Sequence, residues 1–297
     1  MTRNLHEDAD QELQQGDPDT TGHSWDGIKE FNNPLPRWWL WTFYATCVWG
    51  LFYTIAYPAW PGISGASAGF LGYSTRAEVA EDIAAVTEAN AEIRASLAAA
   101  ELTEVTPEAN PELYQFALQG GASVFASWCS QCHGSGAAGV QASGYPNLLD
   151  DDWLWGGTID DIYLTIAHGI RNETDPDTRW SQMTAFDEIL PDEEIDAVVN
   201  YVLSLSDQEH DAALAVAGEE VYLNNCAACH LDSAMGDPFL GAPNLTDAIW
   251  LYGGSAEAIE HTVRYSRFGV MPSWSDRLSE AEIRAVSIWV HAQGGGE

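Results

Sequence analysis

The chain has 297 residues, 46% of them hydrophobic and 11% aromatic, which is enough to fill a core and excludes a wholly disordered chain. Asp and Glu total 45 against 11 Lys and Arg, a net charge of −34. That balance excludes a nucleic-acid partner, because phosphate binding rests on basic side chains. It repels anionic lipid surfaces and draws basic protein partners, or it reflects a salty habitat; composition leaves both open.

In chain order, residues 1–37 form an acidic tail, of which 1–30 is expected to stay loose, with Asp or Glu at positions 7, 8, 10, 12, 17, 19, 26 and 30. Residues 38–57 then run twenty positions without a charge, and a helix of that length covers about 30 Å, the hydrocarbon thickness of a bilayer. Trp38, Trp39 and Trp41 cluster at one end, and Tyr53, Tyr57 and Trp60 at the other, as aromatic belts do at membrane interfaces. Pro34 and Pro36 precede the run, and Pro58 and Pro61 follow it. A transmembrane helix over 38–60 is expected, a cleaved signal peptide being excluded by the late start and acidic flank. Cys47 inside it serves as a small hydrophobe. Lys29 and Arg37 precede the span and the next base is Arg76, which puts the N-terminus in the cytoplasm.

Residues 61–108 read as a linker, with Gly and Ser over 61–74 and an Ala/Glu-rich helix over 75–102. Val79, Ile83, Val86, Ile93 and Leu97 give that helix a thin apolar stripe. Thr106-Pro107 ends it, and Asn110-Pro111-Glu112 looks like the cap and first turn of the next helix.

The remainder repeats itself. Cys129 and Cys226, Pro146-Asn147-Leu148 and Pro243-Asn244-Leu245, and Trp153-Leu154-Trp155-Gly156-Gly157 and Trp250-Leu251-Tyr252-Gly253-Gly254 all recur at an offset of 97. Met183 and Met271, Leu190 and Leu278, and Ile195 and Ile283 recur at 88, so the first copy carries nine extra residues around 171–180. Two homologous modules follow, 109–207 and 208–297. Each opens with a helix into its cysteine pair and closes with an amphipathic helix: 191–205 in the first, and in the second one starting at Ser279 with Glu282 completing a capping box. No stretch alternates with period two for long, so the modules are expected to be all-α.

Cys129-Ser130-Gln131-Cys132-His133 and Cys226-Ala227-Ala228-Cys229-His230 read as c-type haem attachment. Two thiols three residues apart each add to one vinyl group, and the adjacent histidine reaches the iron. Met183 and Met271, at matched positions downstream, are the candidate sixth ligands, and a Met/His pair raises the reduction potential. Own-module ligation is the default expectation, while ligation across modules stays open. His168, His261 and His291 are rival sixth ligands. Zinc is disfavoured because each copy offers only two thiols, and a thioredoxin-like pair needs a βαβ context that is missing. Arg171, Arg264 and Arg267 are candidates for haem propionates, with exposed helix arginines as the alternative. Two protein ligands on each iron leave no position for a substrate, which argues for electron transfer. Haem attachment on the outer side of the membrane puts the modules in the periplasm.

Asn32-Asn33-Pro34-Leu35-Pro36-Arg37-Trp38-Trp39-Leu40-Trp41-Thr42-Phe43 leading into one membrane helix, followed by two haem modules with Trp-Leu-x-Gly-Gly, resembles the dihaem subunit III of bacterial cbb3-type cytochrome c oxidases. The resemblance covers residue 25 to the C-terminus. It implies one N-terminal transmembrane helix and two tandem class I cytochrome c domains with two covalent haem c groups. It assigns Cys129, Cys132, His133 and Met183 to one ligand set and Cys226, Cys229, His230 and Met271 to the other. It further implies a non-catalytic subunit of the bacterial inner membrane that takes electrons from a cytochrome c. These pass through the monohaem subunit to the catalytic haem-copper subunit. Thr184 stands where the family usually has proline, and the acidity is a second departure. A free-standing membrane-anchored dihaem carrier is the alternative, and the specific pre-helix motif speaks against it.

Overall fold

The computed structural model describes residues 19–296, and the chain divides into a unit ending at Thr87 and one beginning at Glu88. Residues 1–18 of the acidic tail lie outside the described residues. In the first unit, β1 (Thr20–Trp25) and β2 (Ile28–Phe31) pair antiparallel, where a loose segment was expected. Asp26 and Gly27 make the turn, both at positive φ, 50° and 85°, which is the two-residue hairpin geometry that Asp-Gly favours.

Helix α1 (Arg37–Ala56) follows Pro36 and stops where Tyr57 turns extended before Pro58. None of its residues is buried. Thr42, Thr46 and Thr54 donate their hydroxyls back to the carbonyls of Trp38, Phe43 and Leu51, so these polar groups are satisfied within the helix. Among the described residues no helix is long and apolar enough to cross a membrane. For α1 the reason is composition, since Trp, Tyr and Thr, each with a polar atom, hold many positions along it. After the helix the chain folds back, Phe70 and Leu71 donating their N–H groups to the carbonyls of Ile55 and Ala56 at 2.9 and 3.0 Å. Helix α2 (Thr75–Ala89) has no buried residue.

The expected single helix over 75–102 breaks at Asn90, whose φ of −102° and ψ of 7° are not helical, and α3 (Ala91–Ala99) carries on in the second unit. Leu97, Leu102 and Val105 bury themselves there with Ala117, Ala285 and Ile288. This unit holds α4 (Pro111–Val124), α5 (Ser130–His133), α6 (Ile159–His168), α7 (Asp192–Leu205), α8 (Ala212–Asn225), α9 (Ala227–His230), α10 (Ala256–Tyr265) and α11 (Glu280–His291). Asn110 and Pro111 open α4 as the sequence suggested. Thr158, Asp211 and Ser255 cap α6, α8 and α10 through their side chains. Ser279 and Glu282 form the expected capping box, the Ser279 N–H donating to Glu282 Oε2 at 2.8 Å. Strand pairing in this unit is confined to isolated bridges, so the modules are helical.

The two repeats do not close on themselves. One core joins Ile195, Val198, Val199 and Val202 of α7 to Tyr222 of α8 and Ile259 and Val263 of α10. The other joins Phe125, Ile162 and Ile166 to Trp274, Leu278 and Ile283, Val286 and Val290 of α11. The closing segment of each repeat thus completes the core of the other. A glycine marks each helix crossing. A Cβ on Gly121 would lie 2.2 Å from the Ala285 carbonyl oxygen, and one on Gly218 2.1 Å from that of Ala197; only glycine lets the backbones come this close. Backbone bonds lock the exchange at matched positions. The Trp274 N–H donates to the Ile166 and Ala167 carbonyls at 3.2 Å, and the Phe186 N–H donates to the Val263 carbonyl at 3.1 Å. Ile170 and Met271 exchange both backbone bonds, at 2.9 and 3.0 Å. Each fully buried Ile or Val at these crossings contributes about 1.5–3 kcal/mol.

Candidate cofactor centre

Helix α4 runs through a single π-turn, Phe125–Cys129, into α5, and α8 runs into α9; each delivers its cysteines and histidine to the wall of one continuous, largely apolar cavity. Cys129, Cys132 and His133 line it together with Cys226, Cys229, His230, Met183 and Met271. No disulfide joins these four cysteines. Burial pushes the Cys129 and Cys226 thiols up to about 11.

Both imidazoles are oriented by the repeated Pro-Asn-Leu. His133 Nδ1 lies 3.2 Å from the Pro146 carbonyl oxygen and His230 Nδ1 3.0 Å from that of Pro243. A carbonyl only accepts, so Nδ1 carries the proton and Nε2 keeps a lone pair for a metal. Burial lowers both histidine pKa values, against the opposing effect of the Nδ1 bond, so the neutral form is favoured.

The methionines fall on the opposite sides from the default pairing. Met183 packs on the core that holds Cys226, Tyr222 and Ala227, and Met271 on the core that holds Cys129, Phe125 and Ala137. The reason is the exchange of closing segments, each of which carries its methionine with it. The rival histidines are engaged elsewhere. His168 Nδ1 lies 3.2 Å from both carboxylate oxygens of Asp175, which sits in the nine-residue insertion. His261 meets Tyr265 edge-on. Neither these two nor His291 lines the cavity.

Trp-Leu-x-Gly-Gly has a steric basis. Gly156 and Gly253 take φ of +89° and +94°, a region L side chains avoid. A Cβ on Gly157 or Gly254 would meet the Trp153 or Trp250 ring at 2.7 or 2.5 Å. The aromatic ring at the middle of the motif crosses to the other repeat: Trp155 covers Gly241, and Tyr252 covers Gly144.

Of the three arginines expected near propionates, Arg264 is taken. It bonds Glu260 at 2.7 Å, Asp192 at 2.9 Å and Asp187 at 3.1 Å, tying α10 to the exchanged segment. Arg171 and Arg267 line the cavity and bond no carboxylate among the described residues. Burial lowers the Arg171 pKa, as it does for any cation removed from water without a counter-charge. An apolar cavity holding thiols, neutral imidazoles, thioethers and two uncompensated guanidiniums fits covalently held haem with its propionates. The arrangement defines a tandem c-type cytochrome.

Comparison with known proteins narrows the class. The N-terminal domain of cytochrome oxidase-cbb3, FixP, matches residues 17–64. Cytochrome c matches 118–206, and cytochrome c oxidase, cbb3-type, subunit III, matches 213–290. The cbb3-type cytochrome c oxidase subunit CcoP of Cereibacter sphaeroides is 57% identical over 95% of this chain and 97% of its own length. The CcoP subunit of Rhodobacter capsulatus is 54% identical over 94% and 96%. The FixP subunit of Sinorhizobium medicae is 49% identical over 94% and 95%. The chain belongs to the CcoP/FixP family, subunit III of cbb3-type cytochrome c oxidases. It is an electron-transfer subunit and not itself the catalytic one.

Proposed function

We propose that the cavity holds two haem c groups, one bonded through thioethers to Cys129 and Cys132 and the other to Cys226 and Cys229. His133 and His230 are the proximal ligands, and the methionines are exchanged: Met271 completes the site of His133, and Met183 that of His230. The observation that carries this reading is the packing of each methionine against the other repeat's cysteine core. Haem held this way supplies a one-electron couple at iron. The chain's own residues would exclude water, orient each imidazole through Pro146 or Pro243, and offer the iron an imidazole and a thioether, a donor pair suited to relaying electrons. Arg171 and Arg267 hold propionates.

In this reading the subunit takes electrons from a reduced cytochrome c, which its acidic surface attracts, and passes them through a monohaem subunit to a haem-copper catalytic subunit. Helix α1 anchors it in a bacterial inner membrane, with the N-terminus cytoplasmic and the haem domains periplasmic. Support comes from twenty consecutive uncharged residues, 38–57, and from indole and phenol groups at both ends, which suit the membrane interface although they lower mean hydropathy. A free-standing carrier has no comparable support. The ligand pairing is tested in a Cys226→Ala/Cys229→Ala background, where one haem remains. Met271→Ala then abolishes the red charge-transfer band of Met-ligated ferric haem and Met183→Ala leaves it; the reverse result establishes own-repeat ligation. A pyridine haemochrome of the detergent-purified assembly showing haem b beside haem c tests membership of an oxidase.

A further inference from the structure

One guanidinium holds both methionine loops. Arg171 Nε donates to the Ser181 carbonyl at 2.5 Å, and its Nη1 donates to the Gly269 carbonyl at 2.9 Å. Ser181 lies two residues before Met183 and Gly269 two residues before Met271, at positions matched by the repeat. The same guanidinium lies over two rings, its central carbon 5.4 Å from the Trp155 centroid and 5.5 Å from that of Phe268. Its backbone takes φ of +53°, a costly conformation for arginine that persists only where surroundings impose it. Here the Arg171 N–H donates to the Arg179 carbonyl at 3.0 Å, and adjacent Ile170 is bridged to Met271. The second repeat has no counterpart, the matched position at offset 97 being Phe268.

We propose that Arg171 is a positioning residue shared by the two haem sites, which fixes both axial methionine loops at once and couples their ligation. The proposal rests on the methionine-ligated dihaem reading. Two carbonyls on one planar fork set the loops relative to each other, which a lysine cannot do because its ammonium is a point charge without a fixed fork. A charged donor bond to a loop carbonyl, once lost, makes loop opening about tenfold more frequent or greater. Both loops lose theirs together.

The test compares Arg171→Gln and Arg171→Lys with the wild-type assembly by the methionine charge-transfer band, by redox titration of each haem, and by the rate at which carbon monoxide enters the ferrous protein. Absence of methionine-ligated haem in the wild type refutes the underlying reading and not the role of Arg171 alone. With both methionine bands present in the wild type, Arg171→Gln is expected to weaken both bands, lower both potentials and speed carbon monoxide entry at both haems by about tenfold. Arg171→Lys, which keeps the charge and the chain length and so guards against a folding defect, is expected to open both sites likewise while preserving more of the potential. Ligand entry unchanged in both variants, or raised at one haem only, overturns the proposal.

Discussion

Two neighbouring glycines on α4 respond to the same substitution with opposite signs. A Cβ on Gly121 would lie 2.2 Å from the Ala285 carbonyl oxygen and 2.6 Å from Trp289 Cβ, about 1.2 Å short of ordinary contact with the former. The obstacle is backbone on the facing helix, so α4 and α11 must part. Overpacking of this kind costs about 3 kcal/mol, the upper end of its range, and the better helix propensity of alanine returns about 1 kcal/mol. The net loss for Gly121→Ala is about 2 kcal/mol. A Cβ on Gly120 would meet only Ala285 Cβ, at 3.8 Å, so Gly120→Ala keeps the propensity gain of about 1 kcal/mol. In a unit of this size the midpoint moves by about 2–4 °C per kcal/mol, which places Gly121→Ala about 4–8 °C below the wild type and Gly120→Ala about 2–4 °C above it. Thermal unfolding of the haem-loaded chain in detergent, followed by Soret circular dichroism, measures both. The Cys129 core is the one disturbed. Gly121→Ala melting at or above Gly120→Ala would refute the close crossing of α4 with α11, and the exchange with it.

Other consequences follow from the same packing. Ending the chain after Ser279 removes Ile283, Val286 and Val290 from the core around Cys129, whereas every buried residue of the core around Tyr222 lies between Phe186 and Val263. Such a chain is expected to keep one methionine-ligated haem, that of Cys226; loss of the Cys226 signature by visible and magnetic spectra contradicts this. Asp152, on the cavity wall, has its pKa raised to about 6 by burial and then by Asp247, Asp150 and Asp151. An unfolded aspartate titrates near 3.9, so the folded state binds this proton more tightly. The penalty is therefore absent below about pH 4, grows between about pH 4 and 6, and is complete above. Asp152→Asn is expected to stabilise the protein by about 1 kcal/mol at pH 8, after allowance for solvent screening, and to change little at pH 4. Denaturant melts at the two pH values decide it, equal effects at both counting against the reasoning.

What the sequence disclosed here was chemistry and local structure. The Cys-x-x-Cys-His runs, the Pro-Asn-Leu and Trp-Leu-x-Gly-Gly repeats, the capping box at Ser279 and the closing helices are short-range patterns, and each is read within a few residues of itself. The β1–β2 hairpin was legible too, in Asp26-Gly27 between Trp25 and Ile28, but the acidic composition around it masked the turn. Asn90 lacked a breaker signal strong enough to divide α2 from α3, and the burial of Leu97 beyond it is set by tertiary packing.

The exchange of closing segments lies beyond any local pattern, because the repeat makes the two choices nearly equivalent. Either closing helix offers the same apolar face, Ile195 matching Ile283 and Val198 matching Val286, and either glycine accepts the same Ala carbonyl. What separates the choices is the connection. Residues 206–211 are all that separate α7 from α8, whose cap is the Asp211 side chain, so α7 meets α8 across a short loop with little entropy lost on closure. Once α7 is committed to α8, only α11 remains to cover α4 and α6. The long segment from Arg171 to Val270 then leaves and rejoins the first core at the Ile170–Met271 bridge. The nine-residue insertion begins at this departure point. It supplies Asp175 and Arg179, which bond to His168 and Asp161 respectively, and so gives the first repeat the turn it needs to leave its own core. The insertion is the sequence feature that breaks the symmetry of the repeats, and its structural use is to route the chain across.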